Sequence, residues 1–124
     1  MALEIESTIY PTYICIRFQG NFELHDALKQ IANALRQAAE AERSLVLIDV
    51  RDVTGRLSTI DRYEFGVGLA AVQEKIGQKM RLAFVGAPPI IELARFGETV
   101  ALNRGVQAQA FFDFDQAITW LTQT

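Results

Sequence analysis

The spacing of apolar residues changes along the chain, and each change marks a predicted element. Leu3 and Ile5 alternate with Glu4 and Glu6, the period-two pattern of a strand with one apolar face, until Tyr10-Pro11-Thr12 supplies turn chemistry. This reads as an edge strand. A second alternation puts Ile14, Ile16 and Phe18 on one side and Tyr13, Cys15 and Arg17 on the other, stopping at Gly20. Leu24, Leu28, Ile31, Leu35 and Ala38 then fall at helical spacing in a stretch rich in Ala, Leu, Gln and Glu, predicting a long amphipathic helix over about Phe22 to Glu42. The unbroken run Leu45-Val46-Leu47-Ile48, bounded by charge, predicts a central parallel strand with Asp49 and Asp52 at its carboxyl end.

Thr54-Gly55-Arg56-Leu57 reads as a loop. Ser58 followed three residues on by Asp61 is a helix-start signature, and the second helix buries Phe65, Leu69, Val72 and Ile76 before Gly77 ends it. Gly66, Gly68 and Ala70 keep that helix slim enough to approach a neighbour closely. Arg81 to Val85 is a fourth strand and Gly86-Ala87 a turn. Pro88 fits the first turn of a third helix reaching about Arg104, with Leu93, Gly97 and Val100 inward and Gly105 as its stop. Val106 to Phe112 is the fifth strand. Asp113 and Gln116 repeat the capping signature for a last helix with Phe114, Ala117, Ile118 and Leu121 on its apolar face. The order ββαβαβαβα predicts one α/β domain over residues 1–124: a mostly parallel five-stranded sheet with an initial antiparallel hairpin and four helices mainly on one face.

Composition narrows the function. At 124 residues, 50% hydrophobic and 22% charged, the chain suits one globular core. Its formal net charge of −3 offers no cationic field for a phosphate backbone, so nucleic acid is not an expected partner. The lone Cys15 cannot form an internal disulfide, and the start MALEIEST carries neither a basic leader nor an apolar signal core, so the cytoplasm is the expected compartment. No apolar run approaches the ~20 residues of a membrane span.

Candidate chemistry is sparse. His25 stands alone on the polar side of the first helix, so no metal site, and no cofactor, is expected. Cys15 has neither a histidine at hand nor a Cys-x-x-Cys partner. Gly66-Val67-Gly68 lies inside a helical pattern and not in a turn after a strand, which makes it a packing feature and not a phosphate cradle. A phosphorylated receiver domain would need a lysine ending its fifth strand, where Phe111-Phe112 stand. No catalytic set remains, and a non-enzymatic protein is expected. Polar residues do gather where α/β sheets engage ligands and partners: Asp49, Arg51, Asp52, Thr54, Arg56, Ser58, Thr59 and Arg62 fall within fourteen residues. A phosphate on Ser58 or Thr59 would lie at a helix N-terminus with Arg56 and Arg62 in plausible reach. The structural alternative is that Ser58 simply caps the helix, Asp61 completes the box, and the arginines are solvated.

The stretch Leu45-Val46-Leu47-Ile48-Asp49-Val50-Arg51-Asp52-Val53-Thr54, then a loop and a helix, resembles the middle of STAS domains, and the layout is similar over nearly the whole chain. The ending Phe112-Asp113 and Ala117-x-x-Trp120-Leu121 is similar to the SpoIIAA-like, or STAS/SEC14-like, group of small bacterial proteins. The resemblance implies a regulatory interaction module whose protein partner, a kinase or anti-sigma-type regulator, docks near the loop before the second helix. It further implies a phosphoacceptor serine there, and Ser58 falls at the matching distance from Asp49, with Leu57 and Ile60 where the family has an acid and a glycine. With the helices gathered on one side, Tyr13, Cys15 and Arg17 would lie on an uncovered sheet face, a candidate interface for self-association or a partner. The alternative function is a carrier of a small apolar ligand or lipid of the SEC14-like type, its pocket lined from the eight phenylalanines.

Overall fold

The computed structural model describes residues 3–92, 94, 95, 98 and 107–123. Five strands are present, β1 (Glu4–Ile9), β2 (Ile14–Asn21), β3 (Leu45–Thr54), β4 (Arg81–Val85) and β5 (Gln107–Phe111), in the spatial order of the chain. β1 pairs antiparallel with β2, and every later neighbour is parallel. The helices are α1 (Leu24–Glu40), α2 (Thr59–Ile76), α3, helical at 90–92, 94, 95 and 98, and α4 (Phe114–Leu121). Leu93, Gly97, Val100, Arg104, Gly105 and Val106, invoked for the third helix and the start of the fifth strand, lie outside the described residues.

Alternation along the strands divides the core in two. Ile14, Ile16, Phe18, Val46, Ile48, Leu82 and Phe84 face α1, α2 and α3, where Ile31, Leu35, Phe65, Leu69 and Ile91 meet them. Leu47, Ala83 and Val85 face the other way and are covered by Ala117 and Leu121 of α4. Three helices therefore lie on one face and the fourth on its reverse. The reverse face is not left open over β3 to β5, because the apolar face of α4 must itself be buried, and the short connection from β5 delivers it there. Among the described residues, no helix lies over the β1–β2 end of that face.

Local chemistry sets the boundaries. α1 begins at Leu24, two residues beyond the expected start, because β2 continues to Asn21 and Glu23 is the cap: its carboxylate accepts from the backbone N–H groups of His25 and Asp26. Those bonds hold the Glu23 carboxyl below its ordinary range, the His25 amide contributing most. At α2, Ser58 Oγ accepts from the Asp61 N–H at 3.0 Å while the Asp61 carboxylate accepts from the Ser58 N–H at 3.0 Å, the reciprocal capping box expected from the sequence. Gly77 ends the helix in the left-handed region at φ 73°. Gly68 lets α1 and α2 close together, since a Cβ there would stand 2.6 Å from Leu28 Cδ1.

Candidate functional site

The polar cluster of the sequence divides between the two faces. β3 does not stop at Asp49 but continues to Thr54, keeping its pairing with β2 by means of a bulge: Arg17 is opposite Asp49 and Gln19 opposite Asp52, so three steps on β3 match two on β2. The bulge shifts the alternation. Val50 and Val53 remain on the three-helix face, while Asp49, Arg51 and Asp52 project toward the face of α4.

On that face Asp49 is buried, 4% exposed, and takes both arms of Arg51: Nε donates to Oδ1 at 2.9 Å and Nη2 to Oδ2 at 2.8 Å. The Arg51 N–H adds a third bond to Asp49 Oδ1 at 3.1 Å, and its guanidinium lies 4.9 Å over the ring of Phe114 on α4. Beside this pair Arg17 donates to the Asp52 carboxylate in an exposed bridge. The Asp49 and Asp52 bonds push the Arg51 and Arg17 guanidiniums further up. Cys15 is half-buried next to them; burial raises its thiol pKa, the Asp49 charge raises it further, and Arg51 lowers it. Tyr13, also raised by burial, stacks on Tyr10 with ring centres 4.8 Å apart. This arrangement joins α4 to the sheet, and every charge in it has a partner.

The other half of the cluster lies at the start of α2, on the three-helix side. Ser58 and Thr59 are exposed, and Ser58 Oγ is engaged in the cap. Arg56 is exposed in the preceding loop. Arg62 pairs with Glu92 of α3 at 3.6 Å, which ties α2 to α3. Asp49 and Asp52, although near Ser58 in sequence, belong to the opposite face.

Sequence reasoning passed over two residues here. Ile60 and Tyr63, one turn apart in α2, are 64% and 50% exposed. The signal existed: a residue two positions from the buried Phe65 lies roughly 200° round the helix, so Tyr63, with Ile60 beside it, cannot share the Phe65–Leu69 stripe.

The whole chain matches solved structures over nearly its full length. An anti-sigma factor antagonist from Mycobacterium paratuberculosis superposes with a TM-score of 0.64 at 17% identity, covering 97% of this chain and 94% of that one. An uncharacterized protein of the DUF3478 family with a SpoIIAA-like fold, from Shewanella loihica PV-4, gives 0.57 at 20% identity, covering 97% and 93%. The anti-sigma factor antagonist SpoIIAA in its unphosphorylated form gives 0.53 at 14% identity, covering 99% and 98%. The fold is SpoIIAA-like. No protein-family model matches the sequence, and comparison with curated proteins returns no match.

Two further observations bear on what this SpoIIAA-like domain can do. Between α1, α2, α3 and the sheet lies an apolar hollow of about 30 Å³, lined by residues that include Phe18, Phe22, Phe65 and Phe84. A bound organic ligand needs ten times that, about 300 Å³. Among the described residues no group of three or more His, Cys, Asp or Glu could hold a metal ion, and no helix is long and apolar enough to cross a membrane.

Proposed function

We propose that the chain is a non-enzymatic regulatory module that docks a protein partner on the β3–α2 loop and the first two turns of α2. The observation that carries this reading is the exposed pair Ile60 and Tyr63 beside the capped Ser58. Two large apolar side chains held on a rigid helix cost little conformational entropy on binding, and a tyrosine serves well as an interface anchor. The likeness to anti-sigma factor antagonists supports the same class of role. The small volume of the apolar hollow favours this reading over a lipid carrier.

Ser58 is the candidate switch, with Thr59 the neighbouring hydroxyl. A phosphate on Ser58 would gain from the positive end of α2 and from the exposed Arg56, but would add charge next to the Asp61 carboxylate and to the apolar pair. The expected consequence is release of the partner. Arg62 contributes by fixing α2 on α3 through Glu92 and not by meeting the phosphate.

Affinity capture from the native host with wild-type protein and with the Ile60→Ser/Tyr63→Ser double variant tests the reading. A protein retained by the wild type, lost by the variant and lost by Ser58→Asp supports it. Aspartate is as good a cap as serine, so that last loss would not reflect unfolding. Retention by both variants refutes it.

A further inference from the structure

The two edges of the sheet are finished differently. At β5, the outward N–H of Ala110 donates to the Glu98 carboxylate at 2.9 Å. At β1, the Tyr10 N–H donates inward to the Tyr13 carbonyl at 2.8 Å, so the even-numbered residues bond to β2 and the odd-numbered ones point away from it. Leu3 agrees with that phase: its outward N–H donates to Asp26 Oδ2 at 2.6 Å and its carbonyl accepts from Gln30 at 3.0 Å, both on α1. From Ile5 onward this cover ends. Ile5, Ser7 and Ile9 present outward backbone groups to which no described residue bonds, and Ile9 is 58% exposed. Such an edge is a template for another strand.

We propose that β1 pairs antiparallel with β1 of a second copy of this chain, centred on Ser7 opposite Ser7. The register follows from three constraints. Only this alignment pairs the outward residues wholly among themselves, Ile5 with Ile9, Ser7 with Ser7 and Ile9 with Ile5. The next positions would oppose Leu3, whose groups α1 has already taken, to Pro11, which has no N–H, so the ladder ends without an orphaned donor. On the other face Glu6 meets Thr8 and Glu4 meets Tyr10, so no like charges oppose each other. Sliding one strand by two residues either opposes Glu6 to Glu6 or leaves one of the three outward residues facing Pro11. The matched register also covers the exposed Ile9 with Ile5 of the second copy. The added contact is one short strand per copy, so the dimer is weak and concentration-dependent.

Sedimentation equilibrium of the full chain between about 1 and 500 µM tests this, a range that spans weak pairing. The expected result is a monomer at the low end and a reversible rise toward twice the monomer mass at the high end. Thr8→Glu, opposite Glu6 twice in the dimer, should weaken association roughly fivefold and Thr8→Lys should tighten it by a similar factor. Ser7→Pro removes an N–H that bonds to nothing within the monomer and should abolish the dimer. Circular dichroism identifies any variant that fails to fold, and the two exposed Thr8 substitutions then carry the decision alone. A wild type that stays monomeric throughout overturns the proposal, as does a dimer indifferent to the charge at position 8.

Discussion

Asp49–Asp52 and Ser58–Arg62 are close neighbours in sequence, yet their polar side chains lie on opposite faces and are built differently. The first segment holds its charges in saturated contacts: a buried carboxylate bound by both arms of Arg51, with Phe114 stacked beneath, and a surface bridge from Arg17 to Asp52. The second keeps its backbone satisfied through the Ser58–Asp61 box and leaves Ile60 and Tyr63 uncovered. A buried charge with its partner supplied is what structure requires. Exposed apolar side chains on a well-capped helix contribute little to folding and are free for binding.

The largest effect that would break this contrast is on Arg51. Arg51→Ala leaves the buried Asp49 carboxylate with a single backbone donor and removes the stack on Phe114. Allowing for the half-exposed guanidinium, chemical denaturation should show a loss of about 2–3 kcal/mol. Asp49→Asn should cost less, because the arginine it frees can turn to water. Ser58→Ala comes next, at about 1 kcal/mol, with Ser58→Asp close to wild type. Arg17→Ala breaks only an exposed bridge and should cost well under 1 kcal/mol. Ile60→Ser and Tyr63→Ser should each lie within about 0.5 kcal/mol of wild type.

A finer probe is the Cys15 thiol. Its pKa is raised by burial and by Asp49, so between the ordinary thiol range and that raised value the folded protein carries less thiolate than the unfolded chain. Labelling by a disulfide reagent at mildly alkaline pH should therefore be slower than for the denatured protein. It should speed up in Asp49→Asn, where the lowering influence of Arg51 is left without its counterweight. Equal rates in wild type and Asp49→Asn would remove the electrostatic link between β2 and the Asp49–Arg51 pair.

Most of the architecture was legible because it depends on short-range patterns. The alternation in β2, the apolar run opening β3, the capping box at Ser58 and the stop at Gly77 each have a local cause, and each is found where the pattern predicts. The side taken by α4 was not legible. Its apolar face, Ala117 and Leu121, fits either side of the sheet equally well, and only tertiary packing decides between them. The candidate site was half legible for a similar reason. A one-residue bulge in β3 leaves no mark in a segment of mixed valine and charge, yet it moves Asp52 to the face away from Ser58, where alternation already places Asp49 and Arg51, and turns Val53 back to the three-helix side. Ile60 and Tyr63 were legible in principle, since helical geometry alone puts them off the buried stripe.

The separation of labour between the two segments is most directly tested by measuring melting temperature and partner affinity together, on Arg51→Ala and on Ile60→Ser/Tyr63→Ser. The account predicts that Arg51→Ala melts lower while binding normally below its transition, and that the double variant melts like wild type while binding at least roughly tenfold more weakly, as expected for losing two anchors. The reverse pattern, with binding lost in Arg51→Ala and kept in the double variant, would contradict it.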